Sequence, residues 1–365
     1  MVQGVMRMRR ETVLAANAQC SLSLHLVSRI VDRSFKLKAA EKTMFVKMMR
    51  EYEEFSGIEV RSFCMMSNHI HLLVKLPRKS DVEIDDEEFL RRLKVLYRSD
   101  KIQLVERLLK QCRKNHATKA ARELKESYTY RMGDVSEFMK SLKQKFSMWF
   151  NKKHNRTGTL WEDRYSVTLV GQGYATQMTA AYIDLNPLRA GMVKDPADYQ
   201  WSSYGEAVAG EGLARKYLLE VMRSVEPGAN AEISAPTDER DALHSYRVLL
   251  AEEGGSVDLE EAPALGERGS KRRKRARGFS KKEAAKILKR GGKLTMSQML
   301  RCQVRYFTAG FIIGSEDFVN EVVAVIKKET GEFQQRKSGP SKIKHGDEVG
   351  LYSLRKLQKS PVYLE

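Results

Sequence analysis

Cysteine is scarce in this 365-residue chain: Cys20, Cys64, Cys112 and Cys302 lie far apart, and no two share a Cys-x-x-Cys spacing. That excludes a zinc site seeded by paired cysteines and a vicinal redox dithiol, and it fits reduced packing residues in a cytosolic protein. No apolar run approaches about 18 residues, and no N-terminal segment has the apolar centre of a signal peptide. The chain is therefore expected to be soluble and cytoplasmic, with no membrane partner. No internal repeat is visible. Acidic charge falls short of basic: 65 Lys and Arg stand against 47 Asp and Glu, a formal net charge of +18. Such an excess points to a polyanionic partner, nucleic acid ahead of an anionic membrane surface. A solvated basic surface is the plainer alternative.

Hydrophobic period divides what is there. "SLSLHLVS" alternates Leu22, Leu24 and Leu26 with Ser23 and His25, the period of a strand with one buried face. "AAEKTMFVKMMREYEEF" sets Phe45, Met48, Met49, Tyr52 and Phe55 at helical spacing. Two β-rich runs follow, "EVRSFCMM" and "HIHLLVKL", separated by the turn-forming pair Ser67 and Asn68. From Asp81 to Met132 long charged helical patterns take over, read as a helical insertion (about 81–132). A helix through "VSEFMKSLKQKFSMWFNKK", a strand at "RYSVTLV" and a helix at "ATQMTAAYIDLN", stopped by Pro187, complete the order. Without the insertion this is β-α-β-β-α-β-α, an α+β, ferredoxin-like antiparallel sheet with helices packed on it, over residues 1–210.

Residues 211–266 read as linker with one helical patch near Leu243 to Ala251. Residues 267–335 form a basic, mostly helical C-terminal region, with 336–365 as a tail. Ser280 and Glu283 have capping-box spacing, and "TMSQMLRCQVRYF" and "SEDFVNEVVAVIKKE" suggest two further helices separated by a glycine-containing turn. Behind a basic arm such helices are compatible with a small DNA-binding module or with a subdomain docked on the first domain.

His69 and His71 stand two apart in a strand-like run, so they share a face, about 6–7 Å apart along the chain. Ile70, Leu72, Val74 and Leu76 share the other. The apolar face can pack on helices and leave both imidazoles on the open side of the sheet, where two ring nitrogens can converge on one divalent ion. Hydrogen-bonded bystander histidines are the alternative. A hard divalent ion also wants oxygen. In "AAYIDLNPLRAG", Tyr182 and Asn186 are spaced i, i+4 and project from one helix face. Asn186 can supply a neutral oxygen as third ligand, with the Tyr182 hydroxyl close by. Such a set can polarise a phosphodiester while a tyrosine attacks phosphorus, giving a 5′-phosphotyrosine and a free 3′-OH. Tyr182 alone would otherwise read as a packing residue.

"SNHIHLLV", "GTLWEDRYSVTLV" and "YIDLNPLRAGMVKDPADYQWSSY" together resemble the REP-associated tyrosine transposases, members of the HUH single-strand DNA nucleases. The resemblance spans roughly Leu22 to Tyr204, and the charged insertion is similar to one branch of that family. It implies a ferredoxin-like nuclease with one catalytic tyrosine that cuts and rejoins single-stranded DNA beside short palindromic hairpins, using Mg2+ or Mn2+. Carried over, the nucleophile falls on Tyr182 and the metal ligands on His69, His71 and Asn186. The chain past about residue 210 exceeds the minimal family domain. The resemblance leaves monomer or homodimer open, and a nucleoid-associated place in the cytoplasm is expected.

Other residues have two readings each. Tyr165 is a rival nucleophile or a core or DNA-stacking aromatic. Arg164 and Arg189 contact phosphates or form surface ion pairs. Trp161 and Trp201 stack on bases or pack in the core. The arm Lys271, Arg272, Arg273, Lys274, Arg275 and Arg277 contacts the DNA backbone or is a solvated charge run. Against the transposase stand a non-catalytic DNA-binding regulator using the basic C-terminal helices and a phosphoesterase using activated water.

Overall fold

The computed structural model describes residues 9–20, 22–77, 84–224, 235–251, 300, 306–334, 338–343 and 350–355. Two compact units make up the chain, Met1–Leu169 with Glu321–Arg336, and Val170–Asn320 with Lys337–Glu365. No helix among the described residues is long and apolar enough to cross a membrane.

The first unit runs α1 (Arg10–Gln19), β1 (Ser23–Arg29), α2 (Ala39–Ser56), β2 (Glu59–Met65), β3 (His69–Lys75), α3 (Asp86–Leu96), α4 (Ser99–Lys114), α5 (Thr118–Thr129), α6 (Val135–Lys153) and β4 (Ser166–Val170). Its strands lie in the order β2-β3-β1-β4, with β3 antiparallel to both neighbours. This is the ferredoxin-like order the sequence predicts, and the fold is α+β. Helix α1 is an addition to the predicted elements.

Helix α2 forms because Phe45, Met48, Met49, Tyr52 and Phe55 recur every three or four residues and are all buried. It starts where the Glu41 carboxylate accepts from the Lys38 backbone N–H at 3.0 Å, and it ends at Gly57, whose φ of 72° is a left-handed conformation that costs glycine least. Helix α6 starts at Asp134, which accepts from the backbone N–H groups of Ser136 and Glu137. The insertion is helical as expected. Phe89, Leu93, Ile102, Val105, Leu109 and Ala121 close a small core of their own onto Phe55 of α2, so its charged faces point outward.

The second unit holds α7 (Tyr174–Asp184), α8 (Asn186–Arg189), α9 (Ser203–Ala209), α10 (Gly212–Met222), α11 (Glu239–Ala251), α12 (Tyr306–Ala309), β5 (Ile312–Gly314), the start of α13 (Glu316–Thr330), β6 (Ser341–Lys342) and β7 (Tyr352–Ser353). Strand β7 pairs antiparallel with both β5 and β6. The stretch expected as linker holds the patch as α11 and also α10, which buries Ala214, Tyr217, Leu218 and Val221 along one side. The expected helix at Ser280, most of the one at 295–307 and the arm 271–277 lie outside the described residues.

Candidate active site

The first unit contains the histidine pair. In the β1–β3 register Val27 faces His71 and Arg29 faces His69, so both imidazoles stand on the same side of the sheet, as the alternation predicts. Their ring centroids are 4.9 Å apart at 80°. The face is not open: His71 is 3% exposed, and only His69 is half-buried. Both faces of β3 are covered, which is why Ile70 through Val74 are all buried.

Each ring has its Nδ1 engaged. The Asn68 amide is oriented by its Nδ2 donating to the Arg33 carbonyl at 3.0 Å, so Oδ1 is the atom that meets His69 Nδ1 at 2.6 Å. An amide oxygen only accepts, so His69 carries its proton on Nδ1 and its lone pair on Nε2. His71 Nδ1 lies 2.9 Å from Nε2 of His25 on β1, and the two rings lie within 23° of parallel with centroids 5.1 Å apart. Among the described residues no three His, Cys, Asp or Glu side chains gather as a metal cluster. Two imidazole nitrogens on adjacent, nearly perpendicular rings are a donor set that suits a divalent ion completed by oxygen from elsewhere.

The second unit contains Tyr182 and Asn186. Helix α7 ends at Asp184 because Leu185 and Asn186 turn into the short α8, with Pro187 near its start. The Asn186 amide nitrogen donates back to the carbonyls of Tyr182 and Ile183, 3.1 Å each. That fixes the amide and leaves its oxygen as the acceptor a metal would use. Tyr182 is buried, with 7% exposure. Phe307 of α12 stacks on its ring at 4.8 Å and 20°, and the Arg189 guanidinium lies over the ring at 4.2 Å from the centroid. Arg189 also donates to the carbonyls of Tyr182 and Leu300, both at 2.5 Å. It therefore links the tyrosine turn to Leu300.

Asp184, two residues after the tyrosine, points the other way into the unit. Its carboxylate accepts from Tyr246 Oη at 2.7 Å, Ser203 Oγ at 3.1 Å and the Tyr204 backbone N–H at 3.2 Å. Burial pushes it up to about 7 in spite of these donors. This network ties α7 to α9 and α11.

The remaining candidates separate by burial. Trp161 is 8% exposed, touches Phe45 and Phe146, and donates its indole N–H to the Lys143 carbonyl at 3.2 Å. It is a core residue. Trp201 is half-buried and meets Tyr199 edge-on. The Tyr165 hydroxyl pairs with Ser136 Oγ at 3.1 Å, and burial raises its pKa, a poor setting for a nucleophile. Arg164 is exposed and open to a phosphate. Three participants escaped the sequence: His25, Asn68 and Phe307. The first two were visible as polar residues in or beside strands, and Phe307 carried no signal.

The model of the IS200-like transposases matches residues 18–117 and 90–186. Among solved structures the chain is similar to a REP-associated tyrosine transposase bound to a REP hairpin, at 14% identity and a TM-score of 0.33, over 53% of this chain and 82% of that one. No curated protein matches. The first matched segment covers β1 and both histidines, and the second covers Tyr182 and Asn186. Over residues 18–186 the chain is similar to the IS200-like transposases.

Proposed function

We propose that this protein is a metal-dependent tyrosine transposase and single-strand DNA endonuclease that cleaves and rejoins DNA next to palindromic hairpins through a 5′-phosphotyrosine. The observation that carries the reading is the imidazole pair, 4.9 Å apart, with both Nδ1 atoms already engaged. His69, His71 and Asn186 are the proposed ligands of a Mg2+ or Mn2+ ion, which would offset charge on the non-bridging phosphate oxygens.

In the proposed reaction Tyr182 Oη attacks phosphorus and loses its proton to solvent. The new bond joins phosphorus to the tyrosine, the P–O3′ bond breaks, and the 3′ oxygen leaves as a free hydroxyl after taking up a proton. Attack by a 3′-OH on the phosphotyrosine reverses these bonds and rejoins DNA without an outside energy source. Arg189 and Asn186 hold the turn that carries the nucleophile. Single-stranded or hairpin DNA is the proposed partner, with the protein acting as a monomer or homodimer, and Arg164, Arg189 and the arm Lys271 to Arg277 as candidate DNA contacts.

A second reading, a non-catalytic DNA-binding regulator, is favoured by one observation, the cover of Phe307 over a nucleophile that is only 7% exposed. One experiment separates the readings: a labelled single-stranded hairpin with flanking bases is incubated with protein and Mn2+ or Mg2+ and run on a denaturing gel. A protein–DNA adduct lost in Tyr182→Phe is the expected result. Cleavage without an adduct that survives the change points to activated water, and binding without cleavage to the regulator.

A further inference from the structure

His25 has no part in the chemistry above, yet it is 1% exposed and bonded to a proposed ligand. In the β1–β3 register it faces Leu73, and Val27 faces His71. It is therefore a diagonal neighbour of His71 on the same side of the sheet, within reach of a long side chain. Its Nε2 is 2.9 Å from His71 Nδ1, and one proton lies between these two nitrogens. If His25 donates, neutral His71 carries its proton on Nε2 and has no lone pair there for an ion. If His71 donates from Nδ1, its lone pair is on Nε2 and His25 is the acceptor. His69 is already held in the corresponding form by Asn68. Only the second arrangement makes the pair equivalent.

We propose that His25 is a positioning residue for His71: it accepts the Nδ1 proton, fixes the tautomer and orients the ring so that Nε2 is presented beside His69. A carboxylate or carbonyl is the commoner acceptor behind a metal-bound imidazole. A neutral imidazole does the same work without adding negative charge to a buried face that must also admit phosphate. The inference rests on the metal reading of the His69 and His71 pair and adds to it a residue from a strand 46 positions earlier.

Mn2+ affinity of the full chain, measured by the loss of free Mn2+ signal in electron paramagnetic resonance without DNA, tests it. His25→Leu is expected to weaken binding about 10- to 100-fold. His25→Gln, which can keep an acceptor oxygen near the Nε2 position, is expected to retain most of the affinity. If folded His25→Leu binds as the native protein does, the inference fails while the metal reading stands. If the native protein binds no Mn2+, or binds it equally after His71→Ala, both fail together. Should His25→Leu not fold, long-range 15N–1H spectra of the metal-free native protein decide: a His71 ring protonated on Nδ1 is expected, and one protonated on Nε2 overturns the proposal. A merely structural role for His25 would leave that tautomer unset.

Discussion

Replacing Asp184 by asparagine tests whether the helix that carries Tyr182 is anchored by a carboxyl that stays protonated in the fold. The side chain is 2% exposed, and burial lifts it from an ordinary 3.8 to about 7 against the pull of its three donors. The folded-state value thus lies above the unfolded one, so between about pH 4 and 7 the folded protein keeps a proton that the unfolded chain has released. The stability this provides is complete below about pH 4 and is lost as pH rises through about 7. The slope is about 1.4 kcal/mol per pH unit, so roughly 2 kcal/mol disappears between pH 5 and 7, and about 4 over the whole interval. In Asp184→Asn no proton is gained or lost at this position. Urea unfolding of both proteins at several pH values across this window gives the difference directly, because every other group cancels. The variant is expected to gain on the native protein by roughly 2 kcal/mol as pH rises from 5 to 7. Parallel stability curves would refute the reasoning and return Asp184 to an ordinary ionised partner of Tyr246.

Tyr246→Phe removes the 2.7 Å donor to Asp184 and is expected to cost about 1–3 kcal/mol, read by unfolding at neutral pH. Phe307→Leu thins the cover stacked on Tyr182; adduct formation on a labelled hairpin is expected to speed up with Mn2+ affinity unchanged, and a slower adduct would make Phe307 a support for the nucleophile instead. Asn68→Leu frees the His69 tautomer set by the 2.6 Å contact and is expected to weaken Mn2+ binding about 10-fold or more, measured by titration calorimetry. Phe35 is 71% exposed in a loop whose Arg33 and Leu37 bond to the Ser67–Asn68 turn. Phe35→Ala is expected to cost about 1–3 kcal/mol of single-strand affinity at constant thermal stability; equal binding would place the DNA elsewhere.

Elements with strong periodicity were legible in the sequence. The alternating leucines of β1, the apolar stripe of α2 and the strand pair β2 and β3 appear where the pattern puts them, within a residue or two. Helix α1 was not legible, because Thr12, Val13 and Ala16 are its buried residues, too small to mark an apolar face. Helix α10 carries the right spacing in Ala214, Tyr217, Leu218 and Val221, but it sits in a stretch whose glycine, alanine and proline read as linker. The site divides in the same way. Residues two or four apart share a face by local geometry, so His69 with His71 and Tyr182 with Asn186 could be paired on paper. His25 could not, since strand register depends on which strands pair, and the stacking of Phe307 on Tyr182 joins positions 125 apart in sequence through a fold no local pattern specifies.

The choice of an amide at position 186 follows from the same accounting of hydrogen bonds. The side chain of Asn186 folds back so that its terminal nitrogen meets two carbonyl oxygens at 3.1 Å, those of Tyr182 and Ile183, at a helix end where such carbonyls lack partners within the helix. An aspartate in its place would be a stronger ligand for a hard cation in isolation, yet one of its oxygens would then face both carbonyls with no proton of its own to offer, leaving only the Arg189 guanidinium as a donor to the Tyr182 carbonyl. The carboxylate would rotate away, and the turn would lose the tie that position 186 supplies. Asn186→Asp is therefore expected to weaken Mn2+ binding despite the added negative charge. Asn186→Ala, which also removes the oxygen, should lower both metal affinity and thermal stability, by about 1 kcal/mol or more for the latter. Tighter Mn2+ binding in Asn186→Asp would show that charge outweighs orientation at this ligand and would overturn the account given for it.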